Sequence, residues 1–131
     1  MSNKHYGMSV HTSLSLDEAE DQIRAALGDE GFGILTEIDV AATLQARLGV
    51  QRRPYKILGA CNPALAQQAL EADESIGLLL PCNVVVYEDE DGTVISAIEP
   101  LMMAELSPAV KEVADTAHDS LERALQQIPV D

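Results

Sequence analysis

The chain has 131 residues, 47% of them hydrophobic, and a formal net charge of −14, which is enough apolar material for one core and too much for a disordered polymer. That charge disfavours nucleic acid and anionic membrane as partners, because both reward cations. One Phe, three Tyr and no Trp leave an aliphatic core and almost no platform on which bases could stack.

Lys4 to Leu14 reads as a first strand. Ser15-Leu16-Asp17-Glu18 then matches a capping box, and Leu16, Ala19, Ile23, Ala26 and Leu27 recur at helical spacing up to Gly28, which offers a stop. Phe32 to Ile38 is a second strand, and Asp39 is placed to cap a short helix that runs through Leu48 to Gly49. Pro54 to Ala60 gives a third strand. Asn62 and Pro63 open the next helix as N-cap and first helical residue.

Val84 to Tyr87 and Thr93 to Ile98 are strand-like and flank Glu88-Asp89-Glu90-Asp91-Gly92, whose Asp-Gly favours a tight hairpin. The acidic run fails the calcium-loop pattern and suits a solvated hairpin tip. Ser107-Pro108 starts a last helix with an apolar stripe at Val110, Val113, Ala117, Leu121, Ala124, Leu125 and Ile128. Met102 and Met103, just before it, read as core. About five strands and four or five helices in mixed order predict a single α+β domain over 1–131, an antiparallel-rich sheet covered on one face by helices.

Between Val40 and Leu70 there is no acid, while Arg47, Arg52, Arg53 and Lys56 give that window +4 and leave −18 for the rest. It reads as a solvated basic segment, an anion-facing patch or a contact with another subunit's acidic face. Met1 to His5 has no apolar segment behind it, so no leader is expected. The apolar region from Ile76 to Val86 is broken by Pro81 and Asn83 and is too short to span a bilayer. The expectation is a cytoplasmic protein whose two cysteines remain thiols.

Those cysteines share one dipeptide, Cys61-Asn62 and Cys82-Asn83, each with a proline beside it. The repetition suggests two chain corners meeting at one place. Cys61 precedes a helix start, where free amides favour a thiolate. The competing reading for both cysteines is ordinary packing.

Three blocks in order, Leu35 to Val40 (LTEIDV), Pro54 to Pro63 (PYKILGACNP) and Gly77 to Glu88 (GLLLPCNVVVYE), resemble the signature blocks of domain-of-unknown-function family 302, a group of small, mostly bacterial and archaeal proteins. The resemblance covers essentially the whole chain. It implies a β-α-β(4)-α fold similar to half of a TATA-binding protein, with a helical insertion and a long C-terminal helix. The family has no established activity, so no catalytic residue carries over, and the shape analogy does not bring DNA binding with it.

The expected ligand site is therefore Cys61, Asn62, Cys82 and Asn83, with hydroxyls from Tyr55 and Thr36. The catalytic candidates are Cys61 and Cys82 as nucleophile or redox pair, and Glu37 with Asp39 as an acid–base pair two residues apart on one strand. Two thiolates with a thioether from Met102 or Met103 would suit Cu(I). His5, His11 and His118 show no ligand spacing, and no metal is expected. The cofactor is left unknown by the sequence. The leading function is a binding module for a small polar or anionic ligand. Its alternatives are a thiol-dependent redox or nucleophilic enzyme and a structural homo-oligomerising domain with inert thiols, and the partner expected is a second copy in a homodimer.

Overall fold

The computed structural model describes residues 2–130. Six antiparallel strands, β1 (Ser2–Lys4), β2 (Gly7–Thr12), β3 (Gly33–Asp39), β4 (Tyr55–Cys61), β5 (Cys82–Glu88) and β6 (Thr93–Ile98), form one sheet in the order β1-β2-β6-β5-β4-β3. Five α-helices join or follow them: α1 (Leu16–Asp29), α2 (Val40–Leu48), α3 (Pro63–Ala72), α4 (Pro100–Leu106) and α5 (Lys111–Gln126). Short 3-10 turns occupy Glu74–Leu79 and Pro108–Val110. The fold is α+β, with a β-α-β(4)-α frame in β2, α1, β3 to β6 and α5.

Local chemistry sets the boundaries. Ser15 accepts the Glu18 amide at 3.2 Å while the Glu18 carboxylate accepts the Ser15 amide at 3.1 Å, closing both halves of the box that starts α1. Asp39 accepts the Ala42 amide at 2.9 Å to start α2, and Gly49, at φ 66°, ends it. Asp89 Oδ1 accepts the amides of Asp91 and Gly92 at 2.9 Å each and shapes the β5–β6 turn.

Three expectations shift. The first strand is a hairpin, β1 turning at His5 and Tyr6 to pair with β2. Helix α1 runs past Gly28, and the stop is Gly31 at φ 85°. There the Phe32 amide donates to the Leu27 carbonyl and the Gly31 amide to Gly28, a Schellman closure with Leu27 and Phe32 buried beneath it. Helix α4 was not foreseen: Glu99 caps it through the Leu101 amide at 3.1 Å, with Pro100 at its first position.

Alternation sorts the sheet into two faces. Leu58, Ala60, Val84, Val86, Ile95, Ala97, Met8 and Val10 point inward and are buried against α1 and α5. Asn83, Val85, Tyr87, Val94, Ser96 and Ile57 point outward and are exposed or half-buried. A second, smaller cluster gathers Cys82, Ala69, Ile76, Met103 and Val110 at one end of the sheet. Among the described residues no helix is long and apolar enough to cross a membrane.

Candidate functional site

Strand β4 ends at Cys61 and β5 begins at Cys82, and the two strands are antiparallel neighbours. Ala60 pairs directly with Cys82, so the two cysteines are diagonal neighbours at one end of the sheet. Neither is in a disulfide. The Leu80–Pro81 bond that leads into β5 is cis. The corners carrying the twin dipeptides therefore do meet.

Both thiols line a cavity of about 60 Å³ between the sheet end, α3 and the start of α5. Two facing pairs of alanines open it, Ala66 with Ala69 on α3 and Ala114 with Ala117 on α5. Each pair has helical i, i+3 spacing, and the short side chains leave room where leucines would meet. Phe32, Leu65, Ile76 and Met103 add to a mostly apolar wall, and among the described residues no Lys, Arg, Asp, Glu or His lines it. The Cys82 thiol is pushed up to about 11, first by burial and then by Cys61 beside it. It is a neutral thiol at physiological pH.

The other expected site residues divide between this cavity and two separate places. Asn62 lines the cavity, but its amide is occupied: Oδ1 accepts the Leu65 amide at 3.2 Å as the α3 cap, and Nδ2 donates to the Glu30 carbonyl at 3.3 Å. Asn83 sits on the other face of the sheet, exposed and paired with Gly59. Thr36 lies over the same Gly59, where an added Cβ would run into the Thr36 hydroxyl and come within 2.9 Å of Pro81. Tyr55 is six residues up β4 from Cys61, roughly 20 Å at 3.3 Å per residue. It stacks on Tyr87 with ring centres 5.1 Å apart, and the Arg52 guanidinium lies 5.0 Å from its ring centre. The six residues therefore do not form one pocket.

Glu37 and Asp39 share the inner face of β3, and both have structural partners. Glu37 bonds Arg24 at 3.1 Å and Lys56 at 3.1 Å, while Glu20 on α1 bonds the same Arg24 at 2.8 Å and the same Lys56 at 2.9 Å. The result is a closed ring of two acids and two bases that fastens α1 to the sheet edge. Burial would raise the Glu20 carboxyl, but Lys56 and Arg24 outweigh it and hold it below 4.5. Asp39 is the α2 cap. Lys56, far along the strand from the thiols, is bound into this ring.

The three histidines each meet a different acid. His5 is 3.3 Å from Glu105, His11 3.1 Å from Asp89 and His118 2.8 Å from Glu99. Among the described residues no group of three or more His, Cys, Asp and Glu gathers as a metal site. Of the two methionines offered as thioether donors Met103 lines the cavity, and the four alanines are the site residues that sequence reasoning missed. The repeated Ala-x-x-Ala on two amphipathic helices was the available signal.

Comparison with known proteins agrees with the fold. A family model described as domain of unknown function DUF302 matches residues 8–128. The chain is similar to the crystal structure of an uncharacterized conserved protein DUF302 from Bacillus stearothermophilus, with TM-score 0.89 and 30% identity over 96% of this chain and 100% of that one. No curated protein matches it.

Proposed function

The chain belongs to the DUF302 family, and on that footing we propose that it is a small-ligand binding module whose site is the Cys61–Cys82 cavity. One observation carries this reading: both cysteines line a single cavity of about 60 Å³ whose remaining wall is apolar apart from the committed Asn62. Packing density elsewhere in a core leaves few voids, so one that collects both thiols is a specific feature. The lining favours an uncharged or sulfur-seeking occupant over a polar or anionic one, because no cation reaches it and burying an unpaired charge is costly. The thiols act as contacts for that occupant. A nucleophilic role fits Cys82 poorly, since burial keeps it protonated.

Methyl NMR of the reduced protein under xenon pressure tests the reading. Shifts confined to Ala66, Ala69, Met103 and Val113, lost in Ala66→Leu, support a site open to small guests. Spectra unchanged under xenon overturn it. An occupant at a hundredfold excess over its dissociation constant would raise stability by about 2.7 kcal/mol.

A second reading rests on a separate feature. Helix α2 buries none of its residues, and Leu35, Ile38, Leu48 and Val50 near it are 67%, 48%, 70% and 46% exposed. Edge strand β3 is left open beside them. Arg47, Arg52 and Arg53 lie on the same segment of a chain whose remainder carries the −18. A second copy of the chain fits both the apolar patch and the charge, giving a homodimer weakened by salt. Sedimentation equilibrium decides: a dimer at low salt that Leu35→Lys with Leu48→Lys converts to monomer supports it, and a monomer throughout overturns it.

A further inference from the structure

The cavity at the Cys61–Cys82 corner is lined by three sulfur-bearing residues from three separate parts of the chain. Cys61 ends β4, Cys82 begins β5 and Met103 lies on α4, and all three line it. Cys82 and Met103 also belong to one packed cluster, and Cys61 is close enough to act on the Cys82 thiol. The donors are soft, and no imidazole, carboxylate or carboxamide beyond the committed Asn62 joins them.

Such a donor set discriminates among metals. Thiolate and thioether select Cu(I) over the divalent ions that prefer imidazole and carboxylate. Zinc sites complete a tetrahedron of four N, S or O donors, and three sulfurs in a hydrocarbon wall fall short of that. From this lining we infer that the cavity is a Cu(I) site, with Cys61 and Cys82 as thiolate ligands and Met103 as the thioether ligand.

The binding step balances simply. Each thiol releases its S–H proton to solvent and donates a sulfur lone pair to the ion, Met103 donates a lone pair without losing a proton, and no electron is transferred. Two thiolates around one Cu(I) leave a single net negative charge. The walls offer the ion no other nitrogen or oxygen side-chain donor besides the committed Asn62.

This inference rests on the cavity being a ligand site, and the test separates the two. Cu(I) is added without oxygen to the reduced full chain against a chromophoric Cu(I) chelator. One equivalent retained per chain, with near-ultraviolet sulfur-to-copper absorption, is expected. Cys61→Ser and Cys82→Ser should each weaken retention more than about 100-fold, beyond the 10–100-fold typical of an outer-shell partner. Met103→Leu, which keeps the volume, should weaken it roughly tenfold and alter the absorption. Circular dichroism confirms that each variant is folded, and Cys61→Ala, at the half-buried position, serves if Cys82→Ser is not. No retention by the native protein, or retention that survives loss of both cysteines, overturns the inference. If xenon still enters the cavity in that case, the ligand site stands and only the copper assignment falls.

Discussion

Ala60 faces Cys82 directly across the β4–β5 ladder, so the residue after Ala60 and the residue that opens β5 meet at one corner of the sheet. The two thiols differ in surroundings: Cys82 is buried and Cys61 half-buried. Cys82→Ala enlarges an existing cavity and should lower stability by about 1–2 kcal/mol. Cys61→Ala should stay within about 1 kcal/mol of the parent. Urea unfolding of both variants measures the difference, and equal losses would speak against the asymmetry.

The Glu20–Lys56–Glu37–Arg24 ring makes a pH-dependent contribution. Glu20 is held below 4.5, so its stabilisation is complete above that pH and is lost as pH falls through the lowered folded value. Glu20→Gln should flatten the acid limb of the stability curve. Lys56→Met leaves Glu20 and Glu37 to share Arg24 alone and should cost about 1–3 kcal/mol, less than breaking a fully buried pair because Lys56 keeps some solvent. Denaturant midpoints across the acid range, with and without these changes, provide the check.

His118 on α5 works in the opposite direction. Burial would lower it, but the 2.8 Å bond to Glu99 and the charges of Glu99, Glu122 and Asp119 raise it above 6.5. Its stabilisation is therefore full below 6.5 and is lost as pH rises through the raised value. The α4–α5 junction should loosen on the alkaline side, and His118→Gln should remove that slope. NMR titration of the His118 ring reads the folded value directly; one at or below 6.5 contradicts the prediction.

Gly59 holds the outer corner formed by Thr36, Pro81 and Asn83. A methyl there collides with Thr36 and Pro81, and Gly59→Ala should cost about 1–3 kcal/mol as overpacking. Adding Thr36→Ala should return part of it, because the two changes touch. A double-mutant cycle in urea gives the coupling.

Much of this fold was legible because it is written in local chemistry. The Ser15 box, the Asp39 and Gly49 bounds of α2, the Asn62-Pro63 start of α3 and the Asp-Gly hairpin each depend on a few adjacent residues. The stop of α1 at Gly31 was harder, since a Schellman closure needs the backbone to turn before its bonds exist. Helix α4 begins on Glu99, a weak cap that reads as the tail of a strand.

The site was legible only in part. Repetition of Cys-Asn pointed to one corner, and register brings the cysteines there. It did not reveal that successive strand residues face opposite ways, which sends Asn83 to the outer face while Cys82 goes inward. Met103 was named only as one of two thioether candidates, and its place beside the paired alanines depends on how three helices pack, a long-range outcome.

The most direct measurement is native-state modification of each cysteine by a small uncharged thiol reagent, read by peptide mass spectrometry across pH. The account predicts that Cys61 reacts first, and that Cys82 reacts more slowly but without unfolding, its rate climbing as pH approaches about 11. Ala66→Leu, which fills the cavity, should suppress the Cys82 reaction. If both thiols stay silent until denaturant is added, the cavity is closed packing and the proposed site does not exist.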